Sequence, residues 1–157
     1  MPHSQELTFV MANLSPHFVE MLRALPHYKE IQLPRAQARL FPSPTLLDEE
    51  TLQEDWKTYV HPDLKKHFQS ARQVVEEDLK KMEMLETGAK LCIPSSHLDA
   101  WMNLLNQTRL AMVEVHRFSE EDLDSRLIDD DPTSPMFRLH FYGYLQQSLV
   151  EAWHSQE

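Results

Sequence analysis

The sequence predicts a mainly α fold, a compact multi-helix bundle with a small two-stranded β element near residues 5–12 and 90–93. Two observations carry this. Leu64, Phe68, Ala71, Val75, Leu79 and Met82 recur at three- and four-residue steps, which sets them along one face of a helix. Helix-start signals also recur: Ser15-Pro16, Asp48 with Glu49 and Glu50, Ser96 with Asp99, and Ser119 with Asp122.

Taken in order, residues 5–12 have strand character, with Leu7 and Phe9 on one side. Ser15-Pro16 opens a helix whose stripe is Phe18, Leu22 and Leu25, and Pro26 closes it. A short extended piece at Glu30–Leu33 leads into the proline-punctuated run Leu33–Leu47, read as an ordered loop. Asp48 caps a helix carrying Leu52, Trp56 and Tyr59 on one face. After the His61-Pro62 interruption, the long amphipathic helix runs from Asp63 to about Glu86, with Gly88 to end it. Lys90–Ile93 is the second short strand. Helices follow from Ser96 to about His116 and from Ser119 to Ile128, and the last spans Met136–Trp153. The whole chain, 1–157, reads as a single helical domain, with an Asp/Pro-rich linker at 129–135 before the C-terminal helix.

Composition then removes several classes of function. A chain of 157 residues can bury roughly 70 % of the surface its unfolded form exposes, enough for one core. Asp and Glu number 25 against 15 Lys and Arg, a formal net charge of −10, which opposes nucleic-acid binding. The 2 glycines exclude glycine-rich phosphate loops, and the 1 cysteine excludes both an internal disulfide and a cysteine-based zinc cluster. Cys92, between Leu91 and Ile93, reads as a small core residue. There is no apolar run long enough to span a membrane, and the N-terminus lacks a secretory signal, so the expected location is the cytoplasm.

The chemistry-bearing residues are scattered. None of the 9 histidines forms a helical ligand pair, no nucleophile elbow exists, and Asp129–Asp131 lacks the spacing of a calcium loop. No catalytic, cofactor or metal residue is assigned. The helix from Leu98 to His116 is more informative, because Arg109 and His116 fall on the same face as Leu98, Trp101, Met102, Leu105, Met112 and Val113. A guanidinium on an apolar face needs acceptors, either loop carbonyls or a carboxylate such as Asp78, or else an anionic ligand between helices. His116 is either a core or helix-end histidine or a pH-sensitive group. On the last helix, Phe137, Phe141, Tyr144, Leu145 and Ala152 form one stripe and Leu139, Tyr142, Leu149 and Trp153 a second. That second stripe is a candidate interface, for self-association or a protein partner, unless the helix is central in its own core.

Arg39-Leu40-Phe41-Pro42, Asp63-Leu64 opening a long helix, and above all Trp101…Leu105-Asn106…Arg109-Leu110 resemble an uncharacterised bacterial domain-of-unknown-function family, over roughly residues 5–128. Its genes often neighbour that of the ClpS protease adaptor. The resemblance implies a small helical bacterial protein with no catalytic residues to carry over, some members being regulators; a thiol switch within the chain is excluded by the lone cysteine. It also suggests that Arg109 and Asn106 hold the Arg39–Pro44 loop through backbone carbonyls. The expected function is a non-enzymatic interaction or regulatory protein linked to regulated proteolysis. The alternative is an enzyme or small-anion binder with an interhelical pocket around Arg109, His116 and Asp78.

Overall fold

The computed structural model describes residues 7–28, 33, 34, 36, 40, 61–119 and 134–155. The class is mainly α with a small antiparallel sheet. Strand β1 (Thr8–Leu14) leads into helix α1 (Pro16–Ala24) and a 3-10 turn at Leu25–His27; helix α2 (His61–Lys80) is followed by strands β2 (Glu83–Leu85) and β3 (Gly88–Pro94). A second 3-10 turn, Ser95–His97, opens onto helix α3 (Leu98–His116), and helix α4 (Pro135–His154) follows it among the described elements.

The two expected strands do pair, antiparallel, with Phe9 opposite Ile93 and Val10 opposite Cys92. A third strand joins them, giving the order β1-β3-β2. That third strand corrects the expected length of the long helix. α2 stops at Lys80 rather than near Glu86, because Glu83 and Met84 pair across the sheet with Lys90 and Ala89. Gly88 is accordingly a hairpin residue and not a helix cap. Its φ of +132° is one that side chains rarely adopt, and a Cβ there would lie 2.8 Å from the Asn13 carbonyl carbon. Asn13 itself takes φ 59°, where the register of β1 shifts against β3.

Strand alternation decides which side chains enter the core. Ala89, Leu91 and Ile93 are buried from β3, and Phe9 from β1. Cys92 points the opposite way and is exposed, which corrects its reading as a core residue. The inner face of the sheet and the helices share one core containing Leu22, Leu25, Val75, Trp101, Leu105, Met112, Leu139, Tyr142 and Leu145. α2 packs on α3, and α3 on α4.

Local endings follow from the sequence. α1 has Pro16 in its first turn, and Ser15 precedes it without a side-chain cap bond. Pro26 has no N–H to offer, and the Leu25 N–H turns back to the Leu22 carbonyl. The Met21 carbonyl near this helix end instead accepts from Tyr142 Oη of α4, at 2.7 Å. Phe18 and Phe141 stack at 4.9 Å between ring centroids and add to the same junction. At α4, Ser134 Oγ accepts from the Phe137 N–H at 3.0 Å, so the end of the expected linker is a helix cap. The start expected at Ser96 and Asp99 forms the 3-10 turn instead, and the cap residue of α3 is His97, without a side-chain cap bond.

The candidate interface is corrected in part. Leu139, Tyr142 and Leu149 are core residues at 1 %, 0 % and 3 % exposure, whereas Trp153 remains 42 % exposed. α4 is therefore central in its own fold over most of its length, because it is packed against both α3 and α1. The expected helix over Asp48–Tyr59, that over Ser119–Ile128 beyond Ser119, the extended piece at Glu30–Leu33 before Leu33, and most of the Leu33–Leu47 loop and of the 129–135 linker lie outside the described residues; Pro34, Ala36 and Leu40 of that expected loop are helical.

Candidate functional site

The residues singled out along α3 are divided by the structure among three separate sets of contacts. Arg109 lies against α4, where its NH1 donates to Gln146 Oε1 at 2.9 Å. Its guanidinium sits over Gly143: a Cβ at that position would be 3.1 Å from Arg109 Cζ. A glycine in the interior of a helix is unfavourable by about 1 kcal/mol relative to alanine, so this one is explained by the space the guanidinium occupies. Desolvation lowers the Arg109 pKa from its usual value. The charge has no carboxylate partner among the described residues, and the buried Nε atom has no hydrogen-bond partner.

Asp78 does not meet Arg109. Its side chain is 2 % exposed on α2 and accepts from Trp101 Nε1 at 2.8 Å. His97 Nδ1 lies 2.9 Å from both carboxylate oxygens. A carboxylate can only accept, so Nδ1 carries the proton in this pair. The cluster ties α2 to the 3-10 turn and to the first turn of α3, and it satisfies the indole N–H of a fully buried Trp101. An Asp–His pair of this kind can orient a general base. The Asp78 side chain is buried and that of His97 is 29 % exposed, so the pair joins the interior of α2 to the surface at the start of α3.

His116 is separate again: its Nε2 lies 3.3 Å from Tyr28 Oη, and its ring stacks on Phe118. Asn106 is exposed, and Arg39 lies outside the described residues. Ala36 and Leu40 are described, and both pack in a small cluster with Ala111 of α3. Arg109, His116 and Asp78, expected around one pocket, are engaged by different partners: Gln146, Tyr28, and Trp101 with His97.

Sequence reasoning missed His97, Gly143 and Gln146. The signal available for Gly143 was its position, one of 2 glycines in the chain and in the interior of a helix. His97 carried no signal, because its partner Asp78 is 19 residues away in the chain and on another element.

Two concave surfaces stand out beside these clusters. One, of about 310 Å³, lies where the start of α3 meets the end of α4; it is lined by Ser95, Leu98, Asp99, Met102, Val150, Trp153 and His154. The other, of about 530 Å³, lies between the end of α1 and the end of α2. Among the described residues no group of three or more His, Cys, Asp or Glu is placed to hold a metal ion, and no helix is long and apolar enough to cross a membrane.

No curated protein and no solved structure matches the chain. A family model described as Domain of unknown function (DUF2017) matches residues 5–153, which takes in the sheet, the Trp101–Arg109 helix and nearly all of α4. The chain belongs to this DUF2017 family.

Proposed function

We propose that the protein is a non-enzymatic interaction protein with a regulatory role, which seats an apolar side chain of a partner protein in the cleft at Trp153. The observation that carries this reading is the composition of the cleft. Trp153 and Val150 are 42 % and 39 % exposed, beside Leu98 and Met102, while Ser95, Asp99 and His154 form a polar rim. Exposed apolar surface inside a polar rim, with an aromatic anchor, is the usual anatomy of a binding hot spot. A bacterial setting and a partner drawn from regulated proteolysis are the finer parts of this proposal and rest on the resemblance of the Trp101–Leu110 segment; a cytoplasmic location rests on the lone cysteine and the N-terminal sequence.

Affinity capture combined with sedimentation tests it. The wild-type protein retrieves a partner or self-associates, and Trp153→Ser, which removes the anchor at an exposed position, loses that association while keeping its melting temperature. A strictly monomeric wild type that retrieves nothing contradicts the reading. A second reading, an anionic ligand at Arg109, is favoured by the unpartnered Nε and the missing counter-charge. It requires that an added anion raise the melting temperature of the wild type and not of Arg109→Ala.

A further inference from the structure

The larger cleft has a chemistry of its own, independent of the Trp153 surface. Its lining is Arg23, Pro26, His27, Glu76, Leu79, Lys80 and Met82. Pro26, Leu79 and Met82 are buried and form an apolar floor. The rim is polar and mostly basic. Glu76 is already engaged there: Arg72 Nε lies 3.4 Å from its Oε1 and His27 Nε2 lies 3.6 Å from the same atom. Arg72 NH2 also lies 3.3 Å from His27 Nδ1, and a guanidinium only donates, so Nδ1 is the accepting nitrogen of that ring. Glu76 Oε1 thus faces Arg72 and His27, and no ion pair joins Glu76 to Arg23 or Lys80. Arg23 and Lys80 have no carboxylate partner among the described residues; the Arg23 guanidinium leans on Met84 Sδ at 4.0 Å. A positive mouth over an apolar floor is unexpected on a chain of net charge −10.

We propose that this cleft binds a small amphipathic organic anion, a carboxylate carried on an apolar chain. Arg23 and Lys80 receive the carboxylate, and Pro26, Leu79 and Met82 pack its chain. The volume of about 530 Å³ is that of an ordinary small-molecule site. A multiply charged anion without an apolar body leaves the floor unused, and a neutral apolar molecule leaves the two cations unpaired. The same chemistry can come from a free organic acid or from the terminal carboxylate of a peptide ending in an apolar residue.

Titration calorimetry on the whole protein decides between these. The probes are sodium octanoate, its neutral analogue 1-octanol, and an acetylated pentapeptide ending in leucine with a free carboxylate. Octanoate or the peptide binds, whichever is the source, and 1-octanol binds at least tenfold more weakly. Arg23→Ala and Lys80→Ala each weaken binding by about tenfold, the scale of one lost charge-assisted hydrogen bond, and Arg23→Lys keeps most of the affinity. Both positions are exposed, and unchanged melting curves show that the variants fold. Added salt weakens binding. The proposal is overturned if 1-octanol binds as tightly as octanoate, if neither carboxylate binds at millimolar concentration, or if the Arg23→Ala/Lys80→Ala double variant keeps wild-type affinity. Loss of binding in Arg109→Ala, with the Arg23 and Lys80 variants unaffected, assigns the anion to Arg109 and also overturns it.

Discussion

Replacing Asp78 by alanine removes the acceptor of two hydrogen bonds, from Trp101 Nε1 at 2.8 Å and from His97 Nδ1 at 2.9 Å. The indole is at 0 % exposure, so its N–H has no water to turn to once the carboxylate is gone. Breaking a buried charged interaction by deleting one partner costs about 3–5 kcal/mol. That is a large part of the roughly 5–15 kcal/mol by which a domain is stable, and at about 2–4 °C per kcal/mol for a chain of this size it lowers the melting temperature by about 6–20 °C. Asp78→Asn separates the acceptor role from the charge. An amide oxygen can accept from Trp101, and its NH2 can donate to His97 Nδ1 if the ring proton moves to Nε2, so the loss is smaller, about 1–2 kcal/mol. Thermal and urea denaturation of both variants measure this, and a cycle with Trp101→Phe isolates the pair, with an expected coupling of about 1–3 kcal/mol. An Asp78→Ala variant within about 0.5 kcal/mol of wild type, or an asparagine variant as damaged as the alanine one, refutes the reasoning.

Three further outcomes follow from the same geometry. Tyr142→Phe leaves the Met21 carbonyl without its donor and destabilises the fold by about 1–3 kcal/mol. Burial also raises the Tyr142 pKa above its usual value of 10.0, despite the nearby Arg138, so the unfolded chain loses this proton first. The contribution of Tyr142 to stability is complete below pH 10.0 and falls as pH rises beyond it, and alkaline denaturation curves of Tyr142→Phe lack that part of the slope. Gly143→Ala gains about 1 kcal/mol of helix propensity but presses a Cβ against the Arg109 guanidinium at 3.1 Å and strains its bond to Gln146; the variant is net destabilised. A full gain in stability shows that Arg109 moves away freely. Gly88→Ala places a Cβ 2.8 Å from the Asn13 carbonyl carbon at a φ of +132°, and its cost of about 1–3 kcal/mol or more appears as a lowered urea midpoint.

Helices were legible in the sequence wherever one face repeats over several turns, as in Leu64 through Leu79, because that signal is local. The end of α2 was not legible. Met82 continues the helical stripe past Lys80, and only pairing with Lys90 and Ala89 draws Glu83 and Met84 into a strand. The second stripe of α4 shows the same limit. Periodicity identified Leu139, Tyr142 and Leu149 as one apolar face, but whether that face meets α3, α1 or another chain depends on tertiary assembly. The unusual placement of Arg109 could be read from its helix face, while its actual partner could not, because Gln146 is a neutral residue 37 positions away. The sequence offers Asp78 as a carboxylate for Arg109, but its partners are His97 and Trp101, because the 3-10 turn at Ser95–His97 brings the imidazole onto the carboxylate.

Partner binding at Trp153 has a sharp test in the living cell. A photo-crosslinking amino acid placed at position 153 is compared with the same probe at position 144, where Tyr144 is 69 % exposed but lies outside the cleft. A discrete crosslinked product from position 153, weaker or absent from position 144 and reduced when Met102 at the cleft wall is replaced by lysine, is the expected result. Equal labelling from both positions, or none from position 153 in cells that express the protein at its native level, contradicts a binding role for the cleft.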